Sequence, residues 1–204
     1  MARVCCRAVS FAGSTRFRLL ETLGAGAFGA VYRAEDRERD TIVALKTLHE
    51  VQPESLLYFK NEFRALQDLD HPNVVHFHEL HEAGGEWFFT MDLVEGTDFR
   101  SYVRPEGRID PQRLSHAAGQ VAVALGTLHR AGLVHRDVKP SNVRVDESGR
   151  AVLLDFGLVT PSRADQQDLV GTPSFMAPEQ ARQAPVGPPA DLYALGVMLF
   201  QAWT

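Results

Sequence analysis

One run constrains this chain more than any other: His135-Arg136-Asp137-Val138-Lys139-Pro140-Ser141-Asn142, followed by Asp155-Phe156-Gly157. It sets an acid, a lysine, an amide and a second acid on two neighbouring loops. A carboxylate can take up the proton of a hydroxyl, and a lysine can neutralise phosphate oxygens. An amide oxygen and a second carboxylate are hard ligands suited to Mg²⁺. A polar turn beside a satisfied aspartate would account for one or two of these groups. It does not account for the whole octapeptide with a second acidic loop behind it.

Upstream stands Gly24-Ala25-Gly26-Ala27-Phe28-Gly29-Ala30-Val31. Glycines at 24, 26 and 29 permit unusual φ angles and close backbone approach to phosphates. Alone the spacing is weak, because an ordinary hairpin turn satisfies it too. A dinucleotide-binding reading is disfavoured, since a strand rather than a helix follows. Next comes Lys46 behind Val43, Ala44 and Leu45, a cation inside an apolar strand. Taken singly it reads as an edge lysine. With Glu62 on the helix that follows, it reads better as a phosphate ligand held by an ion pair. His135 reads as a core histidine rather than a catalytic one.

The pattern along the chain is strand-rich first and helical later. Phe17–Leu23, Ala30–Ala34, Thr41–Leu48, Val74–Leu80 and Trp87–Val94 read as strands, the last two joined at Gly84-Gly85. Pro53 opens a helix with Leu56, Phe59, Phe63, Leu66 and Leu69 near one face. Asp110-Pro111 starts an alanine-rich helix to about Arg130, stopped by Gly132. Asp146–Gly149 reads as a hairpin turn, Pro178–Arg182 as a short helix and Asp191–Trp203 as an apolar one. Apolar residues make up 45% and charged residues 23% of the 204, ordinary for a globular chain, and the net charge of −5 argues against a nucleic-acid partner. Cys5 and Cys6 cannot form a disulfide framework or zinc cage, so a reducing compartment, the cytoplasm, is expected. Met1–Ser14 makes a poor secretory signal, and no stretch is long and apolar enough to span a bilayer. Residues 1–15 are expected to be a disordered leader.

The four motifs stand in the order of the eukaryotic-type protein kinase pattern, and from Phe17 to Trp203 the chain resembles a bacterial-style serine/threonine protein kinase catalytic domain. The resemblance implies an α+β, two-lobed protein-kinase-like fold. Residues 16–95 would form a first lobe, an antiparallel five-stranded sheet plus one helix. Residues 96–204 would form a mainly helical second lobe, linked through Val94–Thr97. ATP and Mg²⁺ are implied, with a protein serine or threonine as acceptor. Asp137 would orient the acceptor hydroxyl, Lys139 would neutralise the moving phosphoryl group, and Asn142 and Asp155 would hold Mg²⁺. Gly24, Gly26, Gly29 and Lys46 would face phosphates, with Glu62 holding Lys46. Val31 and Ala44 would roof the adenine, Met91 would guard the back of its pocket, and Asp92 and Val94 would offer backbone groups. Asp98 would bind ribose. Leu66, Phe77, Phe156 and His135 would stack into a spine anchored by Asp191. Thr172, in Gly171-Thr172-Pro173, would contact the catalytic aspartate, and with Lys139 it points to serine/threonine acceptors. Ala177-Pro178-Glu179 would close the activation segment, whose presence disfavours a small-molecule phosphotransferase.

Three departures from the pattern carry expectations of their own. Arg144 stands where an apolar residue usually floors the adenine. It could stack on the base or turn outward, and Arg144→Leu is expected to tighten ATP binding. The segment 159–170 holds only Thr160 and Ser162 as hydroxyl residues. Asp165 or Asp168 is therefore expected to serve near Arg136 as a permanent anion. The chain stops at Thr204, so the second lobe is expected to be incomplete. Glu179 would lack its arginine partner, a face with Leu195, Met198, Leu199 and Trp203 would lose cover, and regulatory modules would follow in a longer parent protein. The alternative to an active kinase is a pseudokinase-like or truncated nucleotide-binding or interaction module. The intact set of chemical residues favours the enzyme, while Arg144 and the short second lobe favour the module.

Overall fold

The structure, a computed structural model, describes residues 11–26, 29–48, 53–155 and 171–204. The chain forms two compact units, residues 1–50 with 79–93 and residues 51–78 with 94–204.

The first unit is built on a five-stranded antiparallel sheet. Its strands are β1 (Phe17–Gly26), β2 (Gly29–Asp36), β3 (Thr41–Leu48), β4 (Phe77–Ala83) and β5 (Glu86–Asp92), in the order β1-β2-β3-β5-β4. Alternation explains the two faces. Ala34 pairs with Val43 and Thr47 with Phe88, so Ala34, Val43, Leu45 and Phe88 share one face, packed with Phe11 and Phe17. Phe17 meets Phe88 edge-on at 5.7 Å, and Phe11 lies 4.9 Å from Phe88. The ordered unit thus takes in Phe11, inside the stretch expected to be a leader. A lone aromatic has no periodicity to betray its burial. Residues 1–10 lie outside the described residues. Arg16 closes one edge: its Nε and Nη2 reach both oxygens of the buried Asp36 at 2.8 and 2.6 Å, and Nη1 reaches Glu79 at 2.8 Å.

The second unit carries α1 (Pro53–Gln67), β6 (Thr97–Asp98), α2 (Phe99–Val103), α3 (Pro111–Arg130), β7 (Val143–Val145), β8 (Ala151–Leu153), α4 (Pro178–Ala181) and α5 (Pro188–Trp203). Asp110 caps α3 by accepting from the N–H groups of Gln112 and Arg113, and Ala117, Val121, Ala124, Leu125 and Leu128 form its buried stripe. Gly132, at φ 76°, turns the chain away just past its end. The expected strand from Val74 begins only at Phe77. Val74 and Val75 instead join β8, with the Val75 N–H on Leu153 O at 3.1 Å and the Leu153 N–H on Asn73 O at 2.9 Å. Composition cannot distinguish these two pairings. Gln120 of α3 ties this corner together, accepting from Asn73 Nδ2 and Ala151 N and donating to Gly149 O. Helix α5 starts earlier than Asp191, with Pro188 and Pro189 in its first turn. Its register corrects the expected exposed face at Leu195 and Met198 and agrees with it at Trp203. Leu195 and Met198 point inward, and the large apolar groups on its open side are Leu192, Tyr193, Phe200 and Trp203.

Candidate active site

The loop before β7 is held from below by one carboxylate. Asp191 of α5 is 1% exposed. Its Oδ2 accepts from His135 N at 2.9 Å, its Oδ1 accepts from Arg136 N at 2.8 Å, and His129 Nε2 lies 2.8 Å from Oδ2. His135 is fully buried, and burial pushes its imidazole below the ordinary range, against the opposing charge of Asp191. Its Nδ1 accepts from Asp137 N at 3.2 Å, which assigns the proton to Nε2, facing Leu154 O at 2.9 Å. A neutral histidine thus braces the two loops, the structural role expected of it. Arg136 and Asp155 both adopt left-handed backbone, φ 67° and 53°, a sharp reversal on each loop.

Asp137 stands at the centre of the polar cluster. Its Oδ1 accepts from Thr172 N at 2.9 Å and from the Thr172 hydroxyl at 2.8 Å. Lys139 Nζ lies 2.7 Å from its Oδ2 and donates to Thr172 Oγ1 at 2.8 Å. Asn142 Nδ2 donates to Asp137 O at 2.8 Å and to Oδ2 at 3.1 Å. The Asn142 carbonyl oxygen is therefore the side-chain atom left for a ligand. The Leu154 N–H binds Asn142 O at 2.7 Å, which fastens the strand leading to Asp155 beside Asn142. Asp137, Lys139, Asn142 and Thr172 thus meet in one cluster. Gly171 makes the approach of Thr172 possible: at φ 122°, a Cβ there would lie 2.9 Å from Arg136 O. Gln180 adds a clamp that sequence reasoning missed, donating to Arg136 O at 2.8 Å and accepting from Ala177 N at 3.1 Å. An isolated glutamine on a four-residue helix gives no signal of that kind.

Glu62 of α1 is half-buried, and burial raises its carboxyl above the ordinary carboxylate range, opposed by the positive charge of Arg136. Lys46 belongs to the other unit. Asp98 caps α2, accepting from Ser101 N at 3.1 Å and Ser101 Oγ at 2.7 Å. Burial alone would raise its carboxyl. The hydrogen bonds from Ser101 and from the Arg100 backbone, with the charge of Arg144, hold it below the ordinary range. Arg144 pairs with Asp98 across β6 and β7 and donates from Nη1 to Gly96 O at 3.1 Å. Val94 lies in the same unit, half-buried.

In the first unit, register places several expected residues on the sheet face opposite the aromatic core. Val31 pairs with Lys46 and Ala44 with Met91, so these four side chains share that face. Ala44, Lys46 and Met91 are buried, whereas Asp92 is exposed. Gly24 pairs with Val31 and Gly26 with Gly29. The three glycines differ in what demands them. At Gly29, φ is 133° and a Cβ would lie 1.9 Å from Thr47 O, so the sheet itself excludes a side chain. At Gly24 and Gly26 a Cβ would meet nothing within 4 Å. Phe156, Gly157, Thr160, Ser162, Asp165 and Asp168 lie outside the described residues.

Residues 17–204 match the family model described as the protein kinase domain, and the chain belongs to that family. Its relatives include the serine/threonine-protein kinase PrkC of Bacillus subtilis, 32% identical over 94% of this chain and 31% of the relative. PknE of Mycobacterium bovis is 35% identical over 92% of this chain and 34% of its own length. The kinase pkn2 of Myxococcus xanthus is 37% identical over 91% of this chain and 24% of its own length. The chain therefore spans about a third or less of the curated relatives it matches. Protein kinases as a family use ATP and a divalent metal. Among the described residues no helix is long and apolar enough to cross a membrane.

Proposed function

We propose that this chain is the catalytic domain of a serine/threonine protein kinase. In this reading it transfers the γ-phosphoryl group of ATP, with Mg²⁺, to a serine or threonine hydroxyl of a protein in the cytoplasm. The observation that carries the reading is the Asp137 carboxylate, oriented by Thr172, Lys139 and Asn142. Asp137 would accept the hydroxyl proton as the acceptor oxygen bonds to phosphorus and the bond to the ADP oxygen breaks. Lys139, already beside Asp137, would offset the charge on the moving group.

The donor set fits a hard cation. Asn142 offers a carbonyl oxygen and Asp155 a carboxylate, the ligand types Mg²⁺ takes. Among the described residues no group of three or more His, Cys, Asp or Glu could hold a metal. Phosphate and water oxygens would complete the shell. When bound, the cation supplies charge neutralisation between phosphate oxygens. The open backbone at Gly24 and Gly26, and the face carrying Val31, Ala44, Lys46 and Met91, suit phosphates and an adenine ring respectively. Gly29, Asp92, Val94 and Asp98 are proposed as further nucleotide contacts, and Glu62 as the partner of Lys46. Regulatory modules in the remainder of a longer protein would accord with the size of the relatives.

Phosphoryl transfer from radiolabelled ATP to a mixed serine/threonine peptide substrate tests the reading. Asp137→Asn is expected to lower kcat by about 10²-fold or more, the usual contribution of a positioned general base. Transfer unaffected by Asp137→Asn, or no transfer by the intact protein, would overturn it.

A further inference from the structure

A cavity of about 420 Å³ opens beside the Asp137 cluster. Lys139 and Thr172, both bonded to the Asp137 carboxylate, line it. Arg100 of α2, Ser141 and Gln201 of α5 supply further polar groups to its lining. That volume admits a whole side chain with room for water. An extended polypeptide advances about 3.3 Å per residue. A side chain entering this cavity while a hydroxyl lies at Asp137 therefore belongs to a near neighbour of that hydroxyl.

The charges lining the cavity differ in what they already hold. Lys139 is paired with Asp137 at 2.7 Å and bonded to Thr172. Asp98 also faces the cavity, but its two oxygens accept from Ser101 N and Ser101 Oγ. Arg100 is exposed, and among the described residues its guanidinium has no carboxylate or carbonyl partner. Ser141 and Gln201 are neutral. Among the described residues the one acid on the wall, Asp98, is engaged by Ser101 and, in the proposed reading, by the nucleotide, whereas Arg100 presents a planar fork that matches a carboxylate.

We infer that the protein selects acceptor polypeptides carrying an aspartate or glutamate close in sequence to the phosphorylated hydroxyl, with Arg100 as the group that reads it. This rests on the phosphoryl-transfer reading of the Asp137 cluster and adds a substrate class to it. A basic neighbour would place like charge against Arg100 and is selected against.

The test uses the intact protein with Mg²⁺–ATP and synthetic peptides holding one serine in an alanine-glycine background. Glutamate or lysine is scanned through three positions on either side of the serine. At one or more positions the glutamate peptide is expected to exceed the lysine peptide in kcat/KM by roughly tenfold. The ratio is expected to shrink with added salt, to approach one in Arg100→Ala and to invert in Arg100→Glu. Anisotropy of the labelled peptides on the Asp137→Asn protein gives a second readout that needs no transfer. Transfer without a glutamate preference, or with a preference indifferent to Arg100, overturns the inference and leaves the kinase reading standing. Arg100-dependent binding of glutamate peptides without transfer by the unsubstituted protein supports the acidic subsite and overturns the transfer reading. Neither binding preference nor transfer overturns both.

Discussion

Replacing Asp191 with alanine removes one buried carboxylate that accepts from His135 N, Arg136 N and the His129 ring. The two backbone N–H groups would then sit in the interior with no acceptor. Each such orphan costs about 1–3 kcal/mol, so the loop should lose about 2–6 kcal/mol of local stability. Asp191→Asn retains one oxygen and sets an NH₂ against the other donor, so about half the loss is expected. Native-state hydrogen exchange reads this directly at the His135 and Arg136 amides, because it reports local opening of the loop. With tenfold per 1.4 kcal/mol, a loss near 3 kcal/mol lowers protection at both amides by about 10²-fold in Asp191→Ala. The expected drop in Asp191→Asn is about tenfold. The adjacent Leu192, 55% exposed, serves as control: Leu192→Ala should leave both amides unchanged. Protection in Asp191→Ala within threefold of the unsubstituted protein would refute the claim that this carboxylate holds the loop.

Gly29→Ala is expected to destabilise the sheet unit by about 2–4 kcal/mol, combining a disfavoured φ with a backbone clash at Thr47 O, whereas Gly26→Ala should cost less than about 1 kcal/mol; thermal unfolding of the two variants separates them. Arg16 lowers the Asp36 carboxyl chiefly through its hydrogen bonds, against the opposing effect of burial. Because the folded value is depressed, the stabilisation is full above the unfolded value of about 3.9 and is lost as pH falls through the folded value. The stability gap between the unsubstituted protein and Arg16→Ala should therefore be wider at pH 7 than at pH 3 in urea titrations, and an equal gap at both would refute the pairing. Thr172→Val removes the hydroxyl that donates to Asp137 and accepts from Lys139; kcat should fall at least tenfold while Thr172→Ser restores most of it, and equal rates for both variants would show the hydroxyl to be idle.

What was legible from sequence follows from the range of the forces involved. The β2, β3 and β5 strands and the long α3 helix are written in local alternation, an aspartate cap and a stopping glycine, and the structure has them at nearly those bounds. The His135–Asn142 run was legible because its groups lie close in sequence and fold onto one carboxylate, Asp137, which two of them also contact in space. Polar contacts between distant positions leave no such trace. Gln180 and Arg136 stand 44 residues apart, and Asn73 and Gln120 stand 47 apart. Neither pair has a periodicity or a motif. Helix α2 was missed because five residues are too few to show a helical period.

Arg144 shows the limit of residue type as a guide. Its charge at an apolar position was visible from the sequence, which offered only a base or the solvent as its company. The structure supplies a third: the Gly96 carbonyl, at a glycine whose Cβ would lie 2.2 Å from Val145 O. That close approach of Gly96 to β7, available only to glycine, brings the carbonyl within reach of the neighbouring arginine. The cation is thereby held next to Asp98, where its charge helps keep the carboxylate ionised. The departure at 144 is thus coupled to the glycine at 96 and to the acid at 98.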